Sequence, residues 1–177
     1  LLARDDGDMP TSVRGARVIQ RVQLARALGQ PGGRALTAQL DTLAPGESGQ
    51  GLIARIAAAP LGAAADTLRN APRWAEMARC AERYGAQIQA LVALASAAST
   101  LGDHLRAVDA ARQAKALLDD AISPEPVMYC GEAWVVLARV LRTADLQEEA
   151  DAAHRAGVQW VQRHAMPHVP PQFANSF

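Results

Sequence analysis

The chain has 177 residues, with 18 basic and 18 acidic side chains and a pI near 7.1. Half of it is hydrophobic, which excludes a disordered tail, and the balanced charge excludes a nucleic-acid module with a net basic face. Aromatics make up only 4%, and the apolar content is mainly alanine, leucine and valine, so helices are expected rather than a sheet rich in aromatic and β-branched residues.

Turn signals divide the chain at Asp6-Gly7-Asp8-Met9-Pro10, Gly29-Gln30-Pro31-Gly32-Gly33, Ala44-Pro45-Gly46 and Asn70-Ala71-Pro72. Others fall at Leu101-Gly102-Asp103, Ser123-Pro124-Glu125-Pro126 and Met166-Pro167. Between them the pattern predicts helices over 11–28, 34–43, 50–59, 61–69, 73–84, 86–101, 104–121, 127–143 and 146–165, with a short turn near 171–176. Thr11 is placed to cap the first helix and Asp103 the helix from 104. Pro72 is expected at the first turn of its helix, where its missing N–H costs nothing. Asp145 is expected to cap the last long helix, with Glu148 completing a capping box.

The second half repeats. Trp134, Leu137, Ala138, Leu141, Ala150 and Gly157, each minus 43, become Leu91, Leu94, Ala95, Ala98, Ala107 and Ala114. Small residues stay small where two helices of a hairpin would cross. A longer side chain there would push the axes apart. Thr143-Ala144-Asp145 lacks the glycine of Leu101-Gly102-Asp103, so the second turn is expected to differ from the first. In the first half the register is weaker: Ala64 and Ala71 fall on small sites, but Pro60 interrupts the helix before them.

This spacing resembles tetratricopeptide repeats. The resemblance implies an all-α fold of antiparallel helical hairpins, stacked as a short right-handed solenoid. The organisation expected is degenerate hairpins over 1–84, repeats over 85–126 and 127–166, and a C-terminal extension over 167–177. The ending Val169-Pro170-Pro171-Gln172-Phe173-Ala174-Asn175-Ser176-Phe177 resembles the close of the helical array in large bacterial signalling ATPases. These include adenylate-cyclase-like proteins and MalT/LuxR-type transcriptional regulators. In them the array senses or scaffolds, and other domains bind ATP and give output. The chain starts Leu1-Leu2 without an initiator Met or a signal-peptide pattern, and is read as a piece of a longer cytoplasmic protein.

No catalytic or cofactor constellation emerges. Gly46-Glu47-Ser48-Gly49-Gln50-Gly51 lacks the Lys-Ser/Thr pair of a phosphate loop, and Asp5-Asp6-Gly7-Asp8 lacks the closing ligands of a calcium loop. His164 and His168 have metal-ligand spacing, but Pro167 lies between them, and with His154 they read as surface or capping histidines. Cys80 and Cys130 read as buried, reduced thiols. No apolar run is long enough to span a bilayer.

The remaining candidate is the concave face that the resemblance implies. It comprises Gln89, Val92, Ser96, Ser99 and Thr100 in one repeat, and Glu132, Val135, Arg139, Arg142 and Thr143 in the next. Arg139 and Arg142 lie one turn apart and are expected to hold an acidic peptide or carboxylate. The expected function is a non-enzymatic interaction or sensor module, without cofactor or metal, that binds a protein or peptide or other domains of its parent. It is not expected to bind nucleic acid or membrane directly. The alternatives are a self-assembly module, which would form homo-oligomers, and a small-molecule-binding enzyme domain. The register itself is testable: Ala107→Leu and Ala150→Leu should each cost on the order of 1–3 kcal/mol by overpacking, read as a lowered thermal midpoint.

Overall fold

The computed structural model describes residues 49–120 and 130–170, together with Arg17, residues 19–22 and residues 24–25. Among the described residues there is no strand, and the expected all-helical character holds. The elements are α1 (Gln50–Ala58), a 3-10 turn (Ala59–Leu61), α2 (Ala64–Cys80), α3 (Tyr84–Thr100) and α4 (His104–Asp119), then α5 (Cys130–Thr143) and α6 (Gln147–Trp160). A π-helical turn (Val161–Ala165) and a 3-10 turn (Met166–His168) continue α6. Helical residues between 17 and 25 bury Val22 with Ala54, Ala57 and Ala58 of α1. The helix expected at 34–43, the turn at 171–176, the Thr11 cap and the loop at 123–126 lie outside the described residues.

Consecutive helices pack side by side. α2 lies along α3, α3 along α4, and α5 along α6. α5 also packs on both α3 and α4, and α1 touches both α2 and α3. One core runs through α1–α6, from Leu52 and Ile56 to Ala150 and Ala153. Every position of the 43-residue register is buried: Leu91, Leu94, Ala95 and Ala98 with Trp134, Leu137, Ala138 and Leu141, and Ala107 and Ala114 with Ala150 and Gly157. The reason for the last small residue is visible in the backbone. A Cβ built on Gly157 would stand 2.7 Å from Trp134 Cβ, closer than two carbons can come. α5 and α6 approach to that spacing because residue 157 has no side chain.

Two expected helices at 61–69 and 73–84 are one. α2 runs for 17 residues through Pro72, which therefore sits in the helix interior rather than at a first turn. Proline there removes a helical hydrogen bond and costs about 3 kcal/mol. The helix persists because Thr67, Ala71, Trp74, Ala75 and Ala78 form one buried stripe on both sides of the proline. Breaking the helix at Pro72 would split that stripe. Pro60 ends α1 as expected, and the Thr67 hydroxyl donates to the carbonyl of Ala59 at 3.2 Å, tying α2 to the turn after α1.

The turn after α5 does not differ from the one after α3, contrary to expectation. Asp103 N–H donates to the Ala98 carbonyl and Gly102 N–H to that of Ser99. One register on, Leu146 N–H donates to Leu141 and Asp145 N–H to Arg142. The turn after α2 has the same pattern, with Arg83 N–H to Ala78 and Glu82 N–H to Arg79. All three are Schellman caps, with φ of +79° at Gly102, +59° at Asp145 and +53° at Glu82. Asp145 supplies the left-handed residue that glycine supplies before it, since short polar side chains tolerate that region. Asp145 is thus spent on the turn and does not cap α6, whose N-cap is Leu146 with no side-chain hydrogen bond. The expected capping box is absent. Asp103 does cap α4, accepting from Arg106 N–H at 3.2 Å.

These turns predict opposite outcomes for exchanges at equivalent places. Nothing lies within 4 Å of a Cβ on Gly102, so Gly102→Ala should lose about 1 kcal/mol from backbone strain alone. Asp145→Gly should leave stability unchanged or raise it by up to about 1 kcal/mol. Urea unfolding midpoints of the two variants check both signs.

Candidate functional site

A cavity of about 100 Å³ lies where α1, α3 and α5 meet. Its walls carry four of the eight polar residues expected on the concave face, in two pairs: Gln89 and Ser96 from α3, Glu132 and Arg139 from α5. Within each pair the spacing is two helical turns, so both members lie on one face of their helix. The two pairs occupy identical places in the 43-residue register. Between them the groove is apolar, with Ile56 and Pro60 at the α1 side and Val92, Ala93, Ala133 and Val136 along the two longer helices.

The other expected positions fall elsewhere. Arg142 turns toward α6, where its guanidinium pairs with Asp151 at 3.3 Å. Arg139 makes no ion pair among the described residues, so the two arginines do not act as one fork. Ser99 is half-buried and does not line the groove. Thr100 and Thr143 return their hydroxyls to the carbonyls four residues back, Ser96 at 2.8 Å and Arg139 at 3.0 Å. That local bond occupies them within their own helices. Val135 is 62% exposed and belongs to a different surface.

That surface is a larger cavity, about 320 Å³, between the start of α5 and the end of α6. Gly131, Trp134 and Val135 form one wall and His154, Gly157 and Val158 the other. Val161, Gln162 and Met166 close one end. An undisturbed α-helix would carry the stripe of 154, 157, 158, 161 and 162 on to Ala165. The π-helical turn, with Met166 N–H donating to the Val161 carbonyl, brings in Met166 instead. Trp134 is 4% exposed, and its indole N–H is buried without a hydrogen-bond partner. His164 lies outside this cavity, its ring 5.5 Å from that of Trp160.

Charged side chains on the outer helices are mostly paired. Arg112 of α4 grips Glu149 of α6 with both prongs, at 3.0 and 2.6 Å, and so fastens one hairpin to the next. This hydrogen-bonded guanidinium holds the Glu149 carboxyl below its usual range. At the end of α2, Arg79 takes Glu76 in the same manner and pulls its carboxyl down to about 2. Cys80 lies beside that pair as a free, exposed thiol, which corrects the expectation of burial, because the last turn of α2 faces solvent there. The side chain of Cys130 lies outside the described ones. No helix among the described residues is long and apolar enough to cross a membrane.

No protein-family model, curated protein or solved structure matches the chain.

The Arg112–Glu149 pair predicts a pH response. A carboxyl with a lowered folded-state pKa stabilises the fold above its unfolded value, about 4.3, and that contribution is lost as pH falls through the folded value. Both side chains are substantially exposed, so solvent screening keeps the effect small. Glu149→Gln should flatten the acid limb of a plot of urea midpoint against pH. An unchanged slope would mean the pair contributes nothing.

Proposed function

We propose that this chain is a non-catalytic helical-repeat module of the tetratricopeptide kind, which binds a protein or peptide segment in the groove between α1, α3 and α5. One observation carries the reading. Gln89 and Ser96 face the same groove as Glu132 and Arg139, in the same register, on two helices that pack together. A repeated scaffold that places polar groups at equal intervals beside an apolar floor suits an elongated partner, whose backbone and side chains recur at fixed spacing.

The packing order also supports the repeat. α1, α3 and α5 touch in sequence, as the first helices of successive hairpins do, and α2 and α4 each pack on the first helix that follows. Arg139 gives the groove its preference. A planar guanidinium at the edge of an apolar cleft pairs with a carboxylate in two parallel hydrogen bonds, so the favoured segment carries an acidic residue there. The array is proposed to serve a larger bacterial regulatory protein as its sensor or interaction part, on the strength of the resemblance of residues 169–177 to the close of such arrays.

An array of short acidic peptides probed with the labelled chain tests the assignment. Arg139→Glu should weaken the retained peptides about tenfold, the worth of one charge-assisted pair. Arg142→Glu should change binding little, because Arg142 is already engaged by Asp151. Undiminished binding by a folded Arg139→Glu variant would remove the groove from consideration.

A further inference from the structure

The proline inside α2 has no counterpart in α4 or α6. One register on, Pro72 becomes Lys115 of α4, and two registers on it becomes Val158 of α6. Both of those residues carry a backbone N–H. Residue 72 has none, so the carbonyl of Leu68 loses its helical donor, and the proline ring crowds that carbonyl. Sharp bends in helices arise at such places. The buried stripe keeps α2 formed across Pro72, but the two halves of the helix are joined by one hydrogen bond fewer.

The halves are attached to different neighbours. Before the proline, the Thr67 hydroxyl donates to the Ala59 carbonyl at 3.2 Å and ties α2 to the turn after α1. Leu61 of that turn packs with Val22, Ala54, Ala57 and Ala58 in a hydrophobic cluster apart from the main core. After the proline, Trp74, Ala75 and Ala78 enter the main core. The Schellman turn, with Arg83 N–H on the Ala78 carbonyl, then hands the chain to α3. α1 and its turn reach the main core through Leu52, Ile56 and Ala59, and Leu68 and Ala71 rest on it just before the proline.

We propose that Pro72 is a hinge, on which α1, its turn and residues 64–71 swing as one body against α3–α6 and so set the width of the groove. The consequence for binding rests on the reading of that groove as the site for a partner segment. Its walls divide at the hinge. Ile56 and Pro60 belong to the moving body, and Gln89, Ser96, Glu132 and Arg139 to the fixed one. The groove holds about 100 Å³, whereas cavities that enclose a ligand usually reach about 300 Å³. The swing supplies the room. The start of α2 stands about 12 Å from Pro72 along the helix. A bend of about 20° at the proline moves that end by about 4 Å.

The test needs no ligand. The full chain, with Cys80→Ser and Cys130→Ala, carries spin labels on Ala63→Cys and Thr143→Cys, two exposed positions on opposite sides of the hinge. A second pair, Leu105→Cys with Thr143→Cys, lies wholly on the fixed body, and Leu105 is 89% exposed. Pulsed electron–electron resonance reads both distances. The distribution between positions 63 and 143 should be broader than that between 105 and 143 by about 4 Å. Pro72→Ala, which restores the helical N–H with a good helix former, should narrow it to the width of the second pair. A distribution across the hinge no broader than the second pair, or a breadth that Pro72→Ala leaves unchanged, would overturn the proposal. Arg139→Glu should leave the breadth as it is whatever that variant does to peptide binding, so the hinge and the groove can fail separately.

Discussion

The closeness of backbone to backbone at the helix crossings is the constraint on which the rest of the molecule depends. It is most explicit where Gly157 passes Trp134, with no room for even one added carbon. Elsewhere alanine does the same work: Ala95, Ala98, Ala107, Ala114, Ala138 and Ala150 are all buried in one core. Such residues bring little apolar area each. Their contribution is to let neighbouring helices approach, so that Leu91, Leu94, Trp134 and Leu137 reach across and are buried. The spacing of the helices in turn sets the two surfaces described above.

α5 is the element that both surfaces share. Glu132, Ala133, Val136 and Arg139 look toward α3 and the groove. Gly131, Trp134 and Val135 line the larger cavity shared with α6. Arg142 and the α6 residue Asp151 hold its far end to the second helix of the hairpin, and Arg112 with Glu149 hold that second helix to the hairpin before. The helix is therefore gripped from three sides by packing and ion pairs, and the positions of its outward side chains follow from that grip.

Much of this was legible in the sequence because periodicity is a robust signal. The 43-residue recurrence of small and large positions located α3 to α6 and every buried member of the register. The pairs Gln89 with Ser96 and Glu132 with Arg139 came instead from the resemblance to tetratricopeptide repeats, and they stand one register apart. Three of the errors share one physical origin, which is that local rules yield to packing. Pro72 reads as a boundary, yet a buried stripe carries α2 through it. Asp145 reads as a helix cap, yet the turn needs a left-handed residue and takes it. Arg142 sits one turn from Arg139, yet Asp151 on another helix decides where it points. The cavity between α5 and α6 gave no sign in the sequence, because its lining depends on a π-helical turn.

Alanine has no rotamers. Where alanine meets alanine at a crossing there is consequently no side chain that can swing aside to absorb a displacement, as leucine or methionine would. A small shift of one helix passes whole to its neighbour, in the way that a train of rods with tight bearings moves together. Such a scaffold has little slack to lose, and the separation between Glu132 and Arg139 across two turns of α5 is as rigid a ruler as the helix itself.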